Sequence, residues 1–445
     1  MTVSVIQILC KVVFMKLRLL PSKLPTGTKA LVRVDYNVPL KAVGTRMKVM
    51  DTMRLERSLK TLRHLINLNT TLILVSHLGR PRGKVEPTLS LSPVATALSK
   101  LIDKKVVFCK ETQIEKIAQF VEKQALGSII LLENIRFFDG EKKNDPELAK
   151  QFAKLADIYV DEAFSAAHRS HMSIVGIPKH LPAYAGFGLE NEVQVLDQLM
   201  TKPKRPMVVI VGGAKISDKV AAVEHLANIA NVVLVGGGVA NNFLAADGYD
   251  IANSYLQDIP ADMKKAGKNF VNFAGKLIEK TKTERVLKDN YIPLPKIIYP
   301  TDVEAAPSPT ANTSQTVELV GQESGEKLSS KLMYLDIGPK TIRLFKEIIL
   351  SAGTVFWNGP MGVYENEPFD RGSKEIAKAI AKSSATTIIG GGDTITIINS
   401  LGLTNRFDYI SAAGGAALDF LAGKTLPGIK PVVVGCGKCK KNKIK

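Results

Sequence analysis

The strongest constraint on this chain is a rhythm: from Ala30 onward, short apolar runs alternate with longer amphipathic segments. ALVRVDY (30–36), TLILVS (71–76), KVVFC (105–109), SIILLE (128–133) and DIYVDE (157–162) read as strands. Between them, Met53–Leu68 and Leu91–Leu101 have helical spacing. Strands alternating with helices make βαβ units, which build a parallel sheet covered on both faces. Glu190–Met200 then reads as one helix, and the proline-bracketed TKPKRP after it is a natural joint between lobes. The rhythm restarts with VVIV (208–211), VVLV (232–235), KIIYPTD (296–302), KLMYLD (331–336), TVFWN (354–358) and TTIIG (386–390). The expected fold is α/β, with two doubly wound parallel-sheet (Rossmann-like) domains joined by a hinge helix. The polar stretch between Asp302 and Lys331 reads as a loop or an antiparallel excursion.

Composition narrows the function classes. A chain of 445 residues is too long for one ordinary core and suits two domains of roughly 200 residues each. No stretch approaches the ~18 uncharged apolar residues that a membrane span needs, so no membrane role is expected. The formal charge of +18 suits polyanions: nucleic acid, an acidic membrane surface or phosphorylated metabolites. No basic motif interleaved with aromatics supports nucleic-acid binding as more than a side possibility, and such binding would fall steeply with salt. Four cysteines (Cys10, Cys109, Cys436, Cys439) are too few and too scattered for a disulfide framework, which points to a reducing cytoplasm. The Cys436/Cys439 pair sits in a lysine-rich tail, residues 431–445, and has half the ligands of a zinc site. At the other end, residues 1–14 lack a basic start and a cleavage site. Met15 is an alternative start, so they read as a dispensable extension.

In open parallel sheets ligands bind outside the carboxyl ends of the strands. The unusual side chains gather there. The first lobe delivers Arg33, Asp35 and Asn37 in RVDYNVPL, His77 and Arg80 in SHLGRP, Arg136 in LLENIRFF, and His168, Arg169 and His171 in AFSAAHRSH. Arg54 opens the first helix. Planar guanidinium groups suit phosphate and carboxylate, so several converging on one rim suit a small phosphorylated acid.

The second lobe is glycine-rich at its strand ends: GGAK (212–215), VGGGVANNF (235–243), DIGP (336–339), WNGPMGVYE (357–365) and IIGGGDT (389–394). Such loops let a nucleotide approach the backbone closely. In VVIVGGAKISDK, Lys215 and Lys219 stand four residues apart, one helical turn, so both ammonium groups can face one anion at the helix start. GGGVAN is near the dinucleotide fingerprint but has Asn241 where its last glycine belongs, which disfavours a dehydrogenase. Asp393 is either a helix cap or a carboxylate for Mg2+ shared with phosphates. No GxSxG elbow or HExxH motif is present.

RVDYNVPL, SHLGRP, LLENIRF, the AHR–H segment, GGAKISDK, GGGVAN, WNGPMGVYE and GGGDT occur in this order from about Lys16 to Ile429. In this the chain resembles phosphoglycerate kinase. EKKND after Arg136 and GGGVANNFLAADG are similar to the bacterial branch. The resemblance implies reversible, Mg2+-dependent, in-line phosphoryl transfer between 1,3-bisphosphoglycerate and ADP, giving 3-phosphoglycerate and ATP. It implies domain closure about the hinge and no covalent enzyme intermediate. It also implies a cytoplasmic monomer of glycolysis with no obligate protein partner.

By position, Asp35, Asn37, Arg54, His77, Leu78, Gly79, Arg80, Arg136 and Arg169 would hold the glycerate, supported by His168. Lys219 would bind the transferring phosphoryl, with Arg54, Gly391 and Gly414 also catalytic. Lys215, Lys219, Gly237, Gly238, Asn358, Glu365, Gly391, Gly392, Asp393 and Thr394 would bind the nucleotide, and Asp393 the metal. The first domain would comprise 15–189 plus a returning segment, 411–430. Residues 190–204 would form the hinge and 205–410 the nucleotide domain.

Two motifs depart from the family pattern. Its usual Asn-Asp-Ala-Phe-Gly-Thr reads Asp161-Glu162-Ala163-Phe164-Ser165-Ala166, which bears on how Arg169 is positioned. Its usual Ser-Thr-Gly-Gly-Gly reads Ser411-Ala412-Ala413-Gly414-Gly415, which bears on closure. Neither removes a residue assigned to direct chemistry, and activity is expected to survive both.

Overall fold

A computed structural model describes residues 16–44, 46–217, 219–257, 269–282, 296–319 and 331–434. The extension 1–14 and the Cys436/Cys439 pair lie outside the described residues. The chain divides into two compact units: one runs to Asp197 and resumes at Thr425, the other is Gln198–Lys424.

The first unit contains β1 (Lys29–Arg33), β2 (Leu40–Val43), β3 (Arg46–Val49), β4 (Thr71–Val75), β5 (Val106–Cys109), β6 (Ile129–Leu132), β7 (Ile158–Asp161) and β8 (Ala183–Ala185). Six of them form a parallel sheet in the order β5-β6-β4-β1-β7-β8, while β2 and β3 pair as a separate hairpin. Every residue of β4, β6 and β7 is buried, as apolar runs covered by helices on both faces must be. Leu31, Leu72, Ile130 and Val160 at the heart of the sheet are fully buried, each worth roughly 1.5–3 kcal/mol.

The second unit contains β9 (Met207–Val211), β10 (Val232–Val235), β11 (Ile297–Ile298), β12 (Asp302–Ala306), β13 (Gln315–Glu318), β14 (Met333–Ile337), β15 (Thr354–Asn358), β16 (Thr386–Gly390) and β17 (Tyr409–Ser411). Its parallel sheet runs β11-β10-β9-β15-β16-β17 over a core that includes Trp357, Phe345 and Ile389. Here one expectation is corrected. KLMYLD was read as a strand of this parallel sheet, but β14 pairs antiparallel with β12, in a three-stranded sheet ordered β13-β12-β14. β13 follows β12 too closely for the crossover helix that a parallel pair requires, so the two form an antiparallel hairpin, and β14 joins the other edge of β12, also antiparallel. Of the two readings of Asp302–Lys331, the antiparallel excursion is the one seen among the described residues.

Both sheets reverse direction beside their first central strand. From β1 the chain adds β4, β5 and β6 on one side and then crosses to β7. From β9 it adds β10 and β11 and then crosses to β15. The crevices at β1/β7 and β9/β15 are therefore switch points, where open α/β sheets bind ligands.

The Phe187–Thr201 helix runs through the division between the units. The returning segment begins later than Ser411. The Gly415–Leu421 helix packs on the Val220–Ile229 helix, and Gly423 faces the His225 ring, so this stretch stays with the second unit. From Thr425 the chain belongs to the first unit: Gly428 N–H donates to Ala167 O at 2.8 Å, and Val434 N–H to Lys16 O at 2.7 Å.

Candidate active site

The rim of the first unit is built on a buried polar layer. Arg33, the last residue of β1, pairs in register with Val75 and Asp161 on its two neighbours and is 1% exposed. Its Nε donates to Ser173 Oγ at 2.9 Å, and Nη2 lies 3.1 Å from His77 Nδ1. A guanidinium can only donate, so His77 Nδ1 is the acceptor and its proton sits on Nε2. Burial, then the charges of Arg33, Arg136, Arg169 and Arg54, hold His77 well below its usual value, so it is neutral at pH 7. Glu141 is the buried counter-charge. Burial pushes its pKa up, but His171, Arg33 and Ser173 outweigh that and leave it low.

Above this layer lie the predicted substrate residues. The Asp35 carboxylate takes Arg54 Nη1 and the Ser165 hydroxyl on one oxygen, and the Asn37 N–H at 3.3 Å on the other. Asn37 Oδ1 accepts the Gly79 N–H at 2.9 Å, and Arg136 Nη1 donates to Gly79 O at 2.5 Å. Asn134 takes the Leu78 N–H and donates to Leu78 O. The backbone of Leu78 and Gly79 is thus occupied as a frame for the side chains around it. Arg136 is pushed down to about 10, by burial first and then by Arg169 and Arg33. Arg169 is lowered likewise by burial, Arg33 and Arg80, and its Nε lies 3.3 Å from His168 Nε2. Arg136 Nε is buried with no partner among the described residues. Like charges held together around an unmet donor leave a site that an anion relieves.

Sequence reasoning named Arg33 at this rim, but the support supplied by Glu141, Ser173 and Asn134 appears only in three dimensions. Asp161 is another such residue. Its Oδ1 accepts the Ala163 N–H at 2.9 Å, while Oδ2 is buried without a partner among the described residues. Burial pushes its pKa up to about 6, against the Ala163 N–H and Arg33, which lower it. The folded chain therefore holds this proton more tightly than the unfolded one, and stability falls as pH rises from about 4 to about 6. Asp161→Asn keeps the Ala163 bond and removes that penalty. It is expected to raise stability at pH 7 by up to about 3 kcal/mol, with the gain fading toward pH 4. Urea unfolding at both pH values checks this; equal gains at the two would contradict it.

In the second unit the loop after β9 corrects a second expectation. Lys215 and Lys219 do not share a helical turn, because the helix starts at Val220, after both. Gly212 and Gly213 are tied instead to the loop after β15: the Gly212 N–H donates to Asn358 O at 3.0 Å and the Gly213 N–H to Pro360 O at 2.6 Å. Lys215 is exposed. The Lys219 ammonium folds back over Gly213, where a Cβ would stand 3.1 Å from it. Gly238 packs on the same loop, and a Cβ there would lie 2.5 Å from Ala214 O. Gly237 lines a cleft with Ala240, Asn241, Leu244, Val303 and Tyr334.

The loop after β16 completes this rim. Gly391, at φ 91°, caps the Gly392–Ser400 helix, so Asp393 lies in its first turn and is not the cap. Tyr364 Oη donates to Asp393 Oδ1 at 3.3 Å, and Thr394 Oγ1 accepts the Gly359 N–H at 2.8 Å. The Asn358 amide lies close enough to Gly391 that a Cβ there would be 3.4 Å away. Glu365 is exposed, and Gly414, at φ 52°, caps the Gly415–Leu421 helix. Among the described residues no group of three or more metal-binding side chains exists. A lone exposed carboxylate fits a cation shared with phosphate oxygens, not one caged by protein.

The sequence profile of the phosphoglycerate kinase family matches residues 24–424. A phosphoglycerate kinase of Pelotomaculum thermopropionicum is 40% identical over 407 residues, covering 92% of this chain and 96% of its own. One from Thermosipho africanus is 41% identical over 410 residues, covering 91% and 95%. The solved structure of phosphoglycerate kinase from Coxiella burnetii is similar at a TM-score of 0.74 and 35% identity, covering 92% of this chain and 96% of that one.

Proposed function

The chain belongs to the phosphoglycerate kinase family, and from that premise we propose which of its residues carry the reaction. The enzyme transfers a phosphoryl group reversibly between 1,3-bisphosphoglycerate and ADP, giving 3-phosphoglycerate and ATP. In our reading Asp35, Asn37, Arg54, His77, Arg80, Arg136 and Arg169 hold the glycerate, with Leu78, Gly79 and His168 supporting them. The observation that carries this half is the buried Arg136 Nε without an acceptor, inside a cluster of arginines that depress one another. Phosphate and carboxylate oxygens are the groups that satisfy such donors.

Lys215, Gly237, Gly238, Asn358, Glu365, Gly391, Gly392, Asp393 and Thr394 form the proposed nucleotide half. Asp393 would hold Mg2+ together with the nucleotide, and when bound the ion supplies positive charge to the phosphate oxygens. Phosphoryl transfer spreads negative charge over three equatorial oxygens and needs positioning and positive charge more than acid–base groups. Lys219 and Arg54, with N–H groups at the helix starts by Gly391 and Gly414, supply that charge in fixed directions. An acyl phosphate hydrolyses readily, so transfer needs both substrates in one dry site, and hinge closure about residues 190–204 provides it. We place this work in the cytoplasm, by a monomer. No helix among the described residues is long and apolar enough to cross a membrane.

The test is a coupled assay with 3-phosphoglycerate, ATP and Mg2+. Arg80→Ala and Arg169→Ala are each expected to raise KM for 3-phosphoglycerate by about tenfold or more, the scale of a lost hydrogen bond to a charged group. KM for ATP should hold. An unchanged phosphoglycerate KM in both variants would count against the assignment.

A further inference from the structure

We propose that Ser165 is a positioning residue for phosphoryl transfer: its hydroxyl keeps the Asp35 carboxylate in place when Arg54 leaves that carboxylate for the transferring phosphoryl group. The inference rests on the assignment of Asp35 and Arg54 to the substrate site made above.

Ser165 stands in the short 3-10 turn Phe164–Ala166 that follows β7, next to β1 in the sheet. Its Oγ donates to Asp35 Oδ2, the same oxygen that takes Arg54 Nη1. The two donors differ in kind. Arg54 is a long cation on the first turn of the Met53–Asn67 helix, with its side chain 30% exposed, and it can swing. Ser165 is neutral, short and fixed to its turn. Asp35 is only 12% exposed, so solvent cannot fully replace a donor it loses.

A guanidinium carries five N–H donors in one rigid plane, and the Nη1 contact to Asp35 ties the direction of the Arg54 fork to that carboxylate. For Arg54 to turn that fork onto the transferring phosphoryl, Nη1 must exchange Asp35 for phosphoryl oxygens. An ionised acceptor left unmet at low exposure is the costly outcome of such an exchange. Ser165 keeps one donor on that oxygen throughout, and being neutral it adds no charge that would compete with Arg54 for the anion. Asp35 then retains the direction set by Ser165 on one oxygen and the Asn37 N–H on the other. The family's usual motif, as read above, has glycine at this position, which carries no side-chain donor, so the hydroxyl is a departure from that pattern.

The experiment compares Ser165→Ala and Ser165→Thr, alone and in an Arg54→Ala background, in the assay with 3-phosphoglycerate, ATP and Mg2+. Ser165→Ala is expected to lower kcat about tenfold while leaving KM for ATP and the unfolding temperature unchanged. Ser165→Thr keeps the hydroxyl and should stay within about threefold of the parent. In the Arg54→Ala background Ser165→Ala should cost less than about threefold, because no arginine remains to be exchanged. A Ser165→Ala enzyme with the parent kcat, or a tenfold loss that persists without Arg54, overturns the inference while the substrate assignment stands. An Arg54→Ala enzyme with unchanged kcat overturns the assignment itself, and this inference with it.

Discussion

Replacing Lys219 with alanine is expected to lower kcat by roughly 10²–10³, the scale of losing one preorganised transition-state donor. The expectation follows from where the ammonium lies. Lys219 is the residue just before the Val220–Ile229 helix, and its side chain turns back over Gly213, the glycine held at φ 96° by its bond to Pro360 O. A cation held over a backbone turn beside a helix start suits a phosphoryl group, since both favour an anion. Lys215 is exposed in the loop and should behave differently, raising KM for the nucleotide more than it lowers kcat when replaced. Steady-state kinetics of the purified variants decide between them. A Lys219→Ala enzyme with near-normal kcat would remove this residue from the chemistry.

The second large effect concerns stability. Arg33→Met is expected to cost roughly 3 kcal/mol, because breaking a buried charge network leaves its partners uncompensated. Methionine fills much of the same volume, so the loss isolates charge and hydrogen bonding from packing. Ser173 Oγ and His77 Nδ1 would each lose the bond made by Arg33, and Glu141 would lose one of the influences that keep it ionised at 0% exposure. The same change should raise the His77 pKa, since Arg33 is the largest influence after burial that holds it down. Denaturant unfolding measures the first effect and an NMR titration of the histidine the second. Unfolding at the parent denaturant concentration would show that the network contributes little.

Much of this architecture is legible in the residues. The apolar runs at 71–76, 128–133 and 208–211 are strands, and β4, β6 and β9 within them are buried throughout, as strands covered on both faces are. Arg33, Arg136 and Arg169, with His77 among them, stand out because cations at successive strand ends have nowhere to go but one rim. KLMYLD misleads for the same reason that VVLV does not. Both are short apolar runs, and such a run does not say which strand it will pair with: VVLV lies parallel to β9, KLMYLD antiparallel to β12. The lysine pair misleads too, since spacing of four residues means one turn only where the helix has already begun.

The sequence by itself determined the class of fold, its two lobes and the residue types gathered at their strand ends, because periodicity and strand-end chemistry are local properties. Only the tertiary structure decided which groups are spent and which remain to meet a ligand. Asp35 is shared between Arg54 and Ser165, Asn37 is committed to Gly79, and Arg136 Nε is left without an acceptor among the described residues. These are partnerships between residues as far as 130 positions apart. Burial and neighbouring charge, which shift Arg136, Asp161 and His77, likewise exist only once the strands have been brought side by side.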